Sequence, residues 1–246
     1  MERSDVIVIG DGVIGLAAAW QLALRGKAVI CIGDRQPRAT DAAAGMLAPS
    51  FEAFHPRAAR PLKPLLDEAL EKWAPFVSAL SDNPQQELGY QRDGIVAIGF
   101  ARSPEVSAIP CPPPSAFPVS KAWCVPGEGQ VDPRLLREVL HRAFQSAGGI
   151  FVDGEVTYID PQPENINVGL KENQLRAEQV VLAGGVKSST LLPGAEEMEA
   201  VRGRAFLQYA PELKLQSVVR TPMVYFCPKQ DGHIYIGATE ETPAGE

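Results

Sequence analysis

The segment that most restricts this chain lies within its first thirty-odd residues. Residues 5–9 (DVIVI) are a β-branched apolar run, the pattern of a strand buried on both faces. Residues 10–15 (GDGVIG) follow, and then an Ala-rich run through Leu24 in which Gln21 is polar, so the expected helix is buried nearly all round. Gly26 suits a helix C-cap, and residues 28–32 (AVICI) read as a second buried strand. Strand, Gly-rich turn, helix and strand make a βαβ unit, which requires an α/β architecture around a parallel sheet.

A Gly-x-Gly-x-x-Gly pattern in this context is a dinucleotide-binding fingerprint. Gly10 makes the tight turn, Gly12 lets the backbone approach a pyrophosphate, and Gly15 allows the helix to pack closely on the strand. The helix N-terminus then offers N–H groups and a positive dipole end to the phosphates. Asp34, 19 positions after Gly15, is placed to hydrogen-bond an adenosine ribose. Asp11 puts a carboxylate beside the expected pyrophosphate, which is unfavourable unless it points to solvent. Arg35 is a partner for a 2′-phosphate and keeps NADP open beside FAD and NAD.

Composition removes other classes. With 45% hydrophobic and 22% charged residues, 246 residues bury a substantial core. Twenty-three Lys and Arg against 30 Asp and Glu give a charge of −7, which argues against nucleic-acid binding. Four scattered cysteines, without a CxxC pair, and three scattered histidines offer no metal site or disulfide framework, and suit a reducing cytoplasm. The apolar N-terminal run is interrupted by Asp11 and lacks a basic n-region, and no stretch has the length of a membrane helix.

Further along, residues 61–80 space apolar side chains on one helical face, with Pro75 expected to kink or split the helix. Residues 94–100 read as a strand, and 101–120, with six prolines, as a loop or excursion. Asp132-Pro133 caps and opens a helix to about residue 147. Strands are expected at 150–152, 156–159 and 179–183, and a hairpin at 223–227 and 233–238.

Six further segments, in order, resemble the D-amino-acid oxidase and glycine oxidase family of flavoenzymes. They are residues 40–49 (TDAAAGMLAP), 127–133 (GEGQVDP), 154–158 (GEVTY), 180–186 (VVLAGGV), 201–203 (VRG) and 231–239 (DGHIYIGAT). The resemblance implies a Rossmann-like FAD-binding domain of the D-amino-acid oxidase type, residues 1–82 and 127–192. Interleaved with it is an α+β substrate domain on an antiparallel sheet, residues 83–126 and 193–246. FAD is the implied cofactor, with Val13 and Ile14 at the pyrophosphate and Asp34 at the adenosine ribose. Thr40 and the backbone of Ala44, Gly45 and Met46 approach the flavin end, Val156 meets the adenine through its backbone, and Ala183 and Gly184 pass close by. Tyr225 matches a tyrosine of the family's substrate pocket. Many glycine oxidases carry Glu where this chain has Gly33, so the ribose acid is displaced by one residue to Asp34.

The implied reaction oxidises a small amine or amino acid (glycine, sarcosine or a short D-amino acid) to an imine. Water then gives a keto acid and ammonia, and dioxygen becomes hydrogen peroxide, as in thiamine thiazole synthesis. The expected partners are that substrate and dioxygen, with a homo-oligomer or a thiazole-synthesis protein as macromolecular partner. Family members continue past the strand at 237–239 with more sheet, an Arg that clamps the substrate carboxylate and a Gly-rich flavin segment. An apolar sheet edge is therefore expected to be exposed. No residue is assigned the clamp by motif, and Arg202 and Arg204 are expected to pair at the surface. An incomplete FAD-binding module and an NAD(P)-linked dehydrogenase are the rival readings.

Overall fold

The computed structural model describes residues 3–34, 36, 38–52, 62–103, 107–192, 194, 198, 200–239 and 241. Along the chain, β1 (Arg3–Ile9), α1 (Val13–Leu24) and β2 (Val29–Gly33) come first. The short elements α2 (Ala39–Ala42), β3 (Met46–Leu47) and α3 (Pro49–Glu52) precede the helices α4 (Lys63–Leu80) and α5 (Pro84–Leu88). Next are β4 (Ile95–Ile98), β5 (Ile109–Cys111), β6 (Ala122–Val125), β7 (Gly129–Gln130) and α6 (Pro133–Ser146). A run of strands follows: β8 (Ile150–Asp153), β9 (Val156–Pro161), β10 (Ile166–Leu170) and β11 (Gln174–Leu182). After α7 (Ser188–Leu191) come β12 (Phe206–Tyr209), β13 (Val218–Arg220), β14 (Tyr225–Pro228) and β15 (His233–Gly237).

The chain divides into two compact units, Met1–Ala43 with Leu136–Val201, and Ala44–Leu135 with Arg202–Glu246. The sequence expectation drew its first domain at 1–82 and 127–192 and its second at 83–126 and 193–246, so residues 44–82, 127–135 and 193–201 fall on the other side of this division. The reason is local pairing: β3 pairs antiparallel with β7, and Val131 N–H donates to the Gly45 carbonyl at 2.9 Å. Ser50 N–H likewise donates to a Glu128 carboxylate oxygen at 2.7 Å.

Among the described residues of the first unit, a six-stranded sheet has the order β8-β2-β1-β11-β10-β9. Its β8, β2, β1 and β11 are parallel, whereas β10 and β9 continue antiparallel. The parallel strands are apolar on both faces: Ile7, Ile9, Ile30 and Ile32 are buried on one with Val168 and Ala177, and Val6, Val8, Val29 and Cys31 are buried on the other. Helix α1 buries a stripe made by Gly15, Leu16, Ala19, Trp20 and Ala23, but Ile14 and Leu24 are exposed. The expected all-round burial is thus reduced to one face. Helix α6 is opened by Asp132, whose Oδ1 accepts from Arg134 N–H at 3.0 Å.

In the second unit, the described strands form a seven-stranded sheet ordered β12-β15-β14-β13-β4-β6-β5. The expected hairpin is the β14–β15 pair. The sheet is antiparallel except where β13 lies parallel to β4, so it is mixed. Its core joins Ile95, Ala97, Val125, Val218 and Cys227 to Ala44, Ala48 and Phe51. Edge strand β12 leaves Phe206 73% and Tyr209 60% exposed. Helix α4 runs unbroken through Pro75; Leu70 and Val77 are buried, and Leu62 and Leu65 are exposed.

Candidate functional site

A groove of about 570 Å³ opens in the first unit at the ends of β1, β2 and β11. Such a position, beyond the carboxyl ends of parallel strands, is where α/β sheets bind nucleotides. Gly10, Gly12, Val13, Ile14, Asp34, Thr40, Val156, Ala183 and Gly184 line it, nine of the positions expected from sequence. Gly15 lies behind them, against the strand. A Cβ on Gly10 would stand 2.2 Å from the Ala183 carbonyl oxygen, and Gly10 itself has φ +110°. A Cβ on Gly15 would stand 1.8 Å from the Gly10 oxygen. Both glycines are therefore dictated by the turn and by helix–strand contact. Ala44, Gly45, Met46 and Tyr225 belong to the second unit and are absent from the lining of this groove.

The groove's anion end is built from α1. Its first N–H groups lack intrahelical acceptors, and the Val13 N–H donates to Thr40 Oγ1 at 3.2 Å. Thr40 is thus joined to the fingerprint turn. Exposed Ile14, at 75%, leaves the helix mouth open to a ligand.

Asp11 departs from both sequence readings, because it neither points to solvent nor adds net negative charge to the groove. Its carboxylate is 3% exposed and is held by the Arg38 guanidinium through Nε and Nη2. Arg137 Nη2 donates to the same carboxylate at 3.0 Å, and Arg137 Nε to the Asp11 carbonyl at 3.1 Å. Asp41 completes a four-charge cluster, 3.9 Å from Arg38 and 3.7 Å from Arg137. Two cations cancel two anions, so the repulsion anticipated from Asp11 is offset within the protein. Gly33 explains the space: a Cβ there would stand 2.2 Å from Asp11 Cγ. The Asp11 carboxylate fills the volume that a side chain at the end of β2 would use.

Asp34 accepts from Gln36 N–H at 3.2 Å and meets Lys187 Nζ at 3.2 Å, while Lys187 also reaches Glu155 at 3.4 Å. Burial works to raise the Asp34 carboxyl, but the Lys187 and Gln36 hydrogen bonds outweigh it and hold the group below its ordinary value. Lys187 is raised by the Asp34 hydrogen bond first and by Glu155 after it. Lys187, Arg38 and Arg137 were missed in sequence because their partners are distant along the chain. Arg35 lies outside the described residues.

In the second unit, a cavity of about 200 Å³ is lined by Gln91, Gln130, Asp132 and Lys229, among others. Lys229 Nζ donates to the Ala44 carbonyl at 2.7 Å, and burial lowers its ammonium below the usual range. Tyr225 is half-buried and stacks on Tyr235 with ring centroids 6.3 Å apart. Its phenol is pushed up to about 12, chiefly by burial, so it stays neutral at physiological pH. His233 is 3.0 Å from Asp231, His141 packs on Phe151, and Arg204 pairs with Glu241 at 3.1 Å. Among the described residues, no metal-ligating cluster occurs and no helix is long and apolar enough to cross a membrane.

Residues 5–246 match the DAO family, described as FAD dependent oxidoreductase. The chain belongs to this family. The DAO family is FAD-dependent, which sets aside the nicotinamide reading of the fingerprint. The chain is 33% identical to the bifunctional protein ThiO/ThiG of Nostoc sp. strain PCC 7120, over 98% of this chain and 41% of that protein. It is 25% identical to a glycine oxidase of Bacillus licheniformis, covering 97% of this chain and 70% of that enzyme. The crystal structure of glycine oxidase from Geobacillus kaustophilus shares the fold, with a TM-score of 0.83 at 24% identity, over the whole chain and 74% of that structure. The chain thus spans about two fifths of the ThiO/ThiG relatives and about 70% of the glycine oxidases. FAD suits the groove of this DAO chain: a turn closed to a Cβ at Gly10 and Gly15, a helix N-terminus facing the groove and an acid at the end of β2 are what its ADP half requires.

Proposed function

We propose that this chain acts as an FAD-dependent oxidase of a small amine or amino acid. Glycine, sarcosine or a short D-amino acid is the substrate class. The observation that carries the proposal is the fingerprint groove, in a chain that aligns over nearly all its length with ThiO/ThiG and glycine oxidase relatives. Gly10, Gly12, Gly15, Val13 and Ile14 hold the pyrophosphate, Asp34 the ribose, and the Val156 backbone the adenine. Ala183 and Gly184, being small, let the cofactor approach the end of β11. Thr40 and the backbone of Ala44, Gly45 and Met46 serve the flavin end, and Tyr225 lines the substrate pocket.

The chemistry that FAD supplies when bound is two-electron oxidation of the amine to an imine, with the electrons passing on to dioxygen to give hydrogen peroxide. Water then hydrolyses the imine to a keto acid and ammonia. The protein's part is to bind, to orient and to exclude water. Neutral Tyr225 can donate or accept a hydrogen bond without adding charge. Thiazole synthesis is the process we assign to the product, supported by the bifunctional ThiO/ThiG relative.

The test is direct. The chain is expressed, its visible spectrum recorded, and glycine, sarcosine or D-alanine added under air. A yellow protein that forms peroxide is the expected result. A yellow protein without peroxide reduces the chain to an FAD-binding module, and a colourless protein that binds NAD(P)H overturns the reading.

A further inference from the structure

Gln91 and Gln130 are locked together by an antiparallel bridge, in which each backbone N–H donates to the other's carbonyl at 2.9 Å. The bridge holds both residues at the wall of the 200 Å³ cavity of the second unit. Asp132 and Lys229, the latter in the turn of the β14–β15 hairpin, line the same cavity, and Leu135 and Leu215 add apolar wall. A cavity of about 150 Å³ takes up benzene, so this space admits an organic molecule of comparable size.

The four polar side chains satisfy one another only in part. Asp132 uses Oδ1 to cap α6, through the N–H groups of Arg134 and Leu135 at 3.0 and 3.4 Å. Its Oδ2 stands 4.0 Å from Lys229 Nζ, beyond hydrogen-bond reach. The Lys229 side chain is 5% exposed, and its ammonium has one hydrogen-bond acceptor among the described residues, the Ala44 carbonyl at 2.7 Å. Gln130 is 3% exposed, and its Nε2 donates to Gln91 Oε1 at 3.0 Å and to the Pro228 carbonyl at 2.9 Å. Those two bonds fix the amide's orientation and leave Oε1 buried with no partner among the described residues. Gln91 accepts through Oε1, and its own Nε2 has no acceptor among the described residues. Polar groups left in this way are destabilising, and a ligand that pairs with them removes the loss.

We infer that this cavity binds a small zwitterionic amino acid. Two donors, Lys229 and Gln91, meet its carboxylate, and two acceptors, Asp132 and Gln130, meet its ammonium. The opposite charges on the wall are matched by the opposite charges of the ligand, whereas a simple anion would face Asp132 and a simple cation would face Lys229. Burial disfavours the Lys229 ammonium, and a carboxylate beside it favours that charge again. The cavity shares no lining residue with the fingerprint groove and does not include Tyr225, and the inference does not rest on the oxidase reading. Sequence reading shows Asp132 as a cap and Lys229 within a turn. The site itself is assembled from residues distant along the chain, with Gln91 39 positions from Gln130 and Pro228 98.

The probe is 2-methylalanine, which carries both charges and has no Cα hydrogen for an oxidase to remove. Isobutyrate lacks its ammonium, and isopropylamine lacks its carboxylate. Each is titrated calorimetrically into the chain with FAD added. The unaltered chain is expected to bind 2-methylalanine roughly tenfold or more tightly than either half-probe. Asp132→Asn keeps the α6 cap, because Asn serves there as well as Asp. It should weaken 2-methylalanine by roughly tenfold or more and at the same time tighten isobutyrate. Lys229→Gln should weaken 2-methylalanine likewise and tighten isopropylamine. A merely structural role would move all three probes in one direction. Either half-probe binding as tightly as 2-methylalanine overturns the inference, as does an Asp132→Asn chain that keeps the full preference, or a chain that binds none of the three. Asp132-dependent binding of 2-methylalanine without peroxide from any amine would sink the oxidase reading alone. Peroxide formation with 2-methylalanine binding that ignores Asp132 would sink this inference alone.

Discussion

Replacing Asp11 with Ala would leave Arg38 and Arg137 facing a hole where a carboxylate had been. Asp11 is 3% exposed, and the side chains of Arg38 and Arg137 are 13% and 26% exposed, so little water is at hand to take its place. Removing one partner of a buried ion pair costs about 3–5 kcal/mol. Asp41 remains 3.7–3.9 Å from both guanidiniums and Arg137 is a quarter exposed, which favours the low end, about 3 kcal/mol. For a chain of this size that corresponds to a fall in melting temperature of roughly 6–12 °C. A companion cycle tests the shared volume. Gly33→Ala puts a Cβ 2.2 Å from Asp11 Cγ and should cost about 1–3 kcal/mol by overpacking. In an Asp11→Gly background that cost should largely vanish, leaving a coupling of about 1–3 kcal/mol between the positions. Thermal melts of the four chains of the cycle, and of Asp11→Ala, measure both quantities. A fall below roughly 2 °C for Asp11→Ala, or an equal cost of Gly33→Ala in both backgrounds, refutes the reasoning.

Other outcomes follow from the same groove and core. Thr40→Val cuts the hydrogen bond that ties α2 to the fingerprint turn and removes a hydroxyl from the groove lining, so it should weaken FAD binding by roughly 2- to 10-fold, read by quenching of flavin fluorescence. Lys187→Met removes the leading hydrogen bond that holds the Asp34 carboxyl down, so an NMR titration of that carboxyl should move upward. Because the folded Asp34 titrates below its unfolded value, about 3.9, its contribution is present above that pH. It is lost as pH falls through the lower folded value, and Lys187→Met should blunt this acid dependence. Cys31 and Cys227, both buried with thiols pushed up to about 12, should resist a thiol reagent at neutral pH until the chain unfolds. Early labelling of either would contradict that packing.

The parts of the structure that were legible in sequence are those decided by neighbours in sequence. The strand–turn–helix–strand start, the Asp132 cap and the β14–β15 hairpin each declare themselves within about thirty residues. Strand β10 did not: Asn167 and Gly169 interrupt its apolar pattern, and it is a strand because β9 and β11 flank it with hydrogen bonds. Strand β12 is exposed on both faces and is defined by pairing with β15. At the site, the fingerprint glycines and Asp34 were legible because each spacing has a local reason, whereas Thr40, Val156, Ala183 and Gly184 came only from the resemblance to the flavoenzyme family. The environment of Asp11 was not, since Arg38 is 27 residues away and Arg137 is 126. A carboxylate read without its partners looks repulsive, and the fold supplies the partners.

The exchange between positions 11 and 33 also bears on which acid meets the ribose. A carboxylate has about four acceptor sites, and Asp11 commits three to guanidinium N–H groups. It is fixed and neutralised, with little left to offer a hydroxyl. A side chain at position 33 would collide with the volume that Asp11 fills. Asp34 is the next residue along, lies on the groove, and spends its oxygens on one backbone N–H and on a lysine that is 57% exposed. An exposed lysine contact is cheap to exchange for a ligand hydroxyl. A side chain at 33 and the buried Asp11 carboxylate thus compete for one volume, which is why we propose Asp34 for the ribose. A carboxylate placed at 33 would require Asp11 to move.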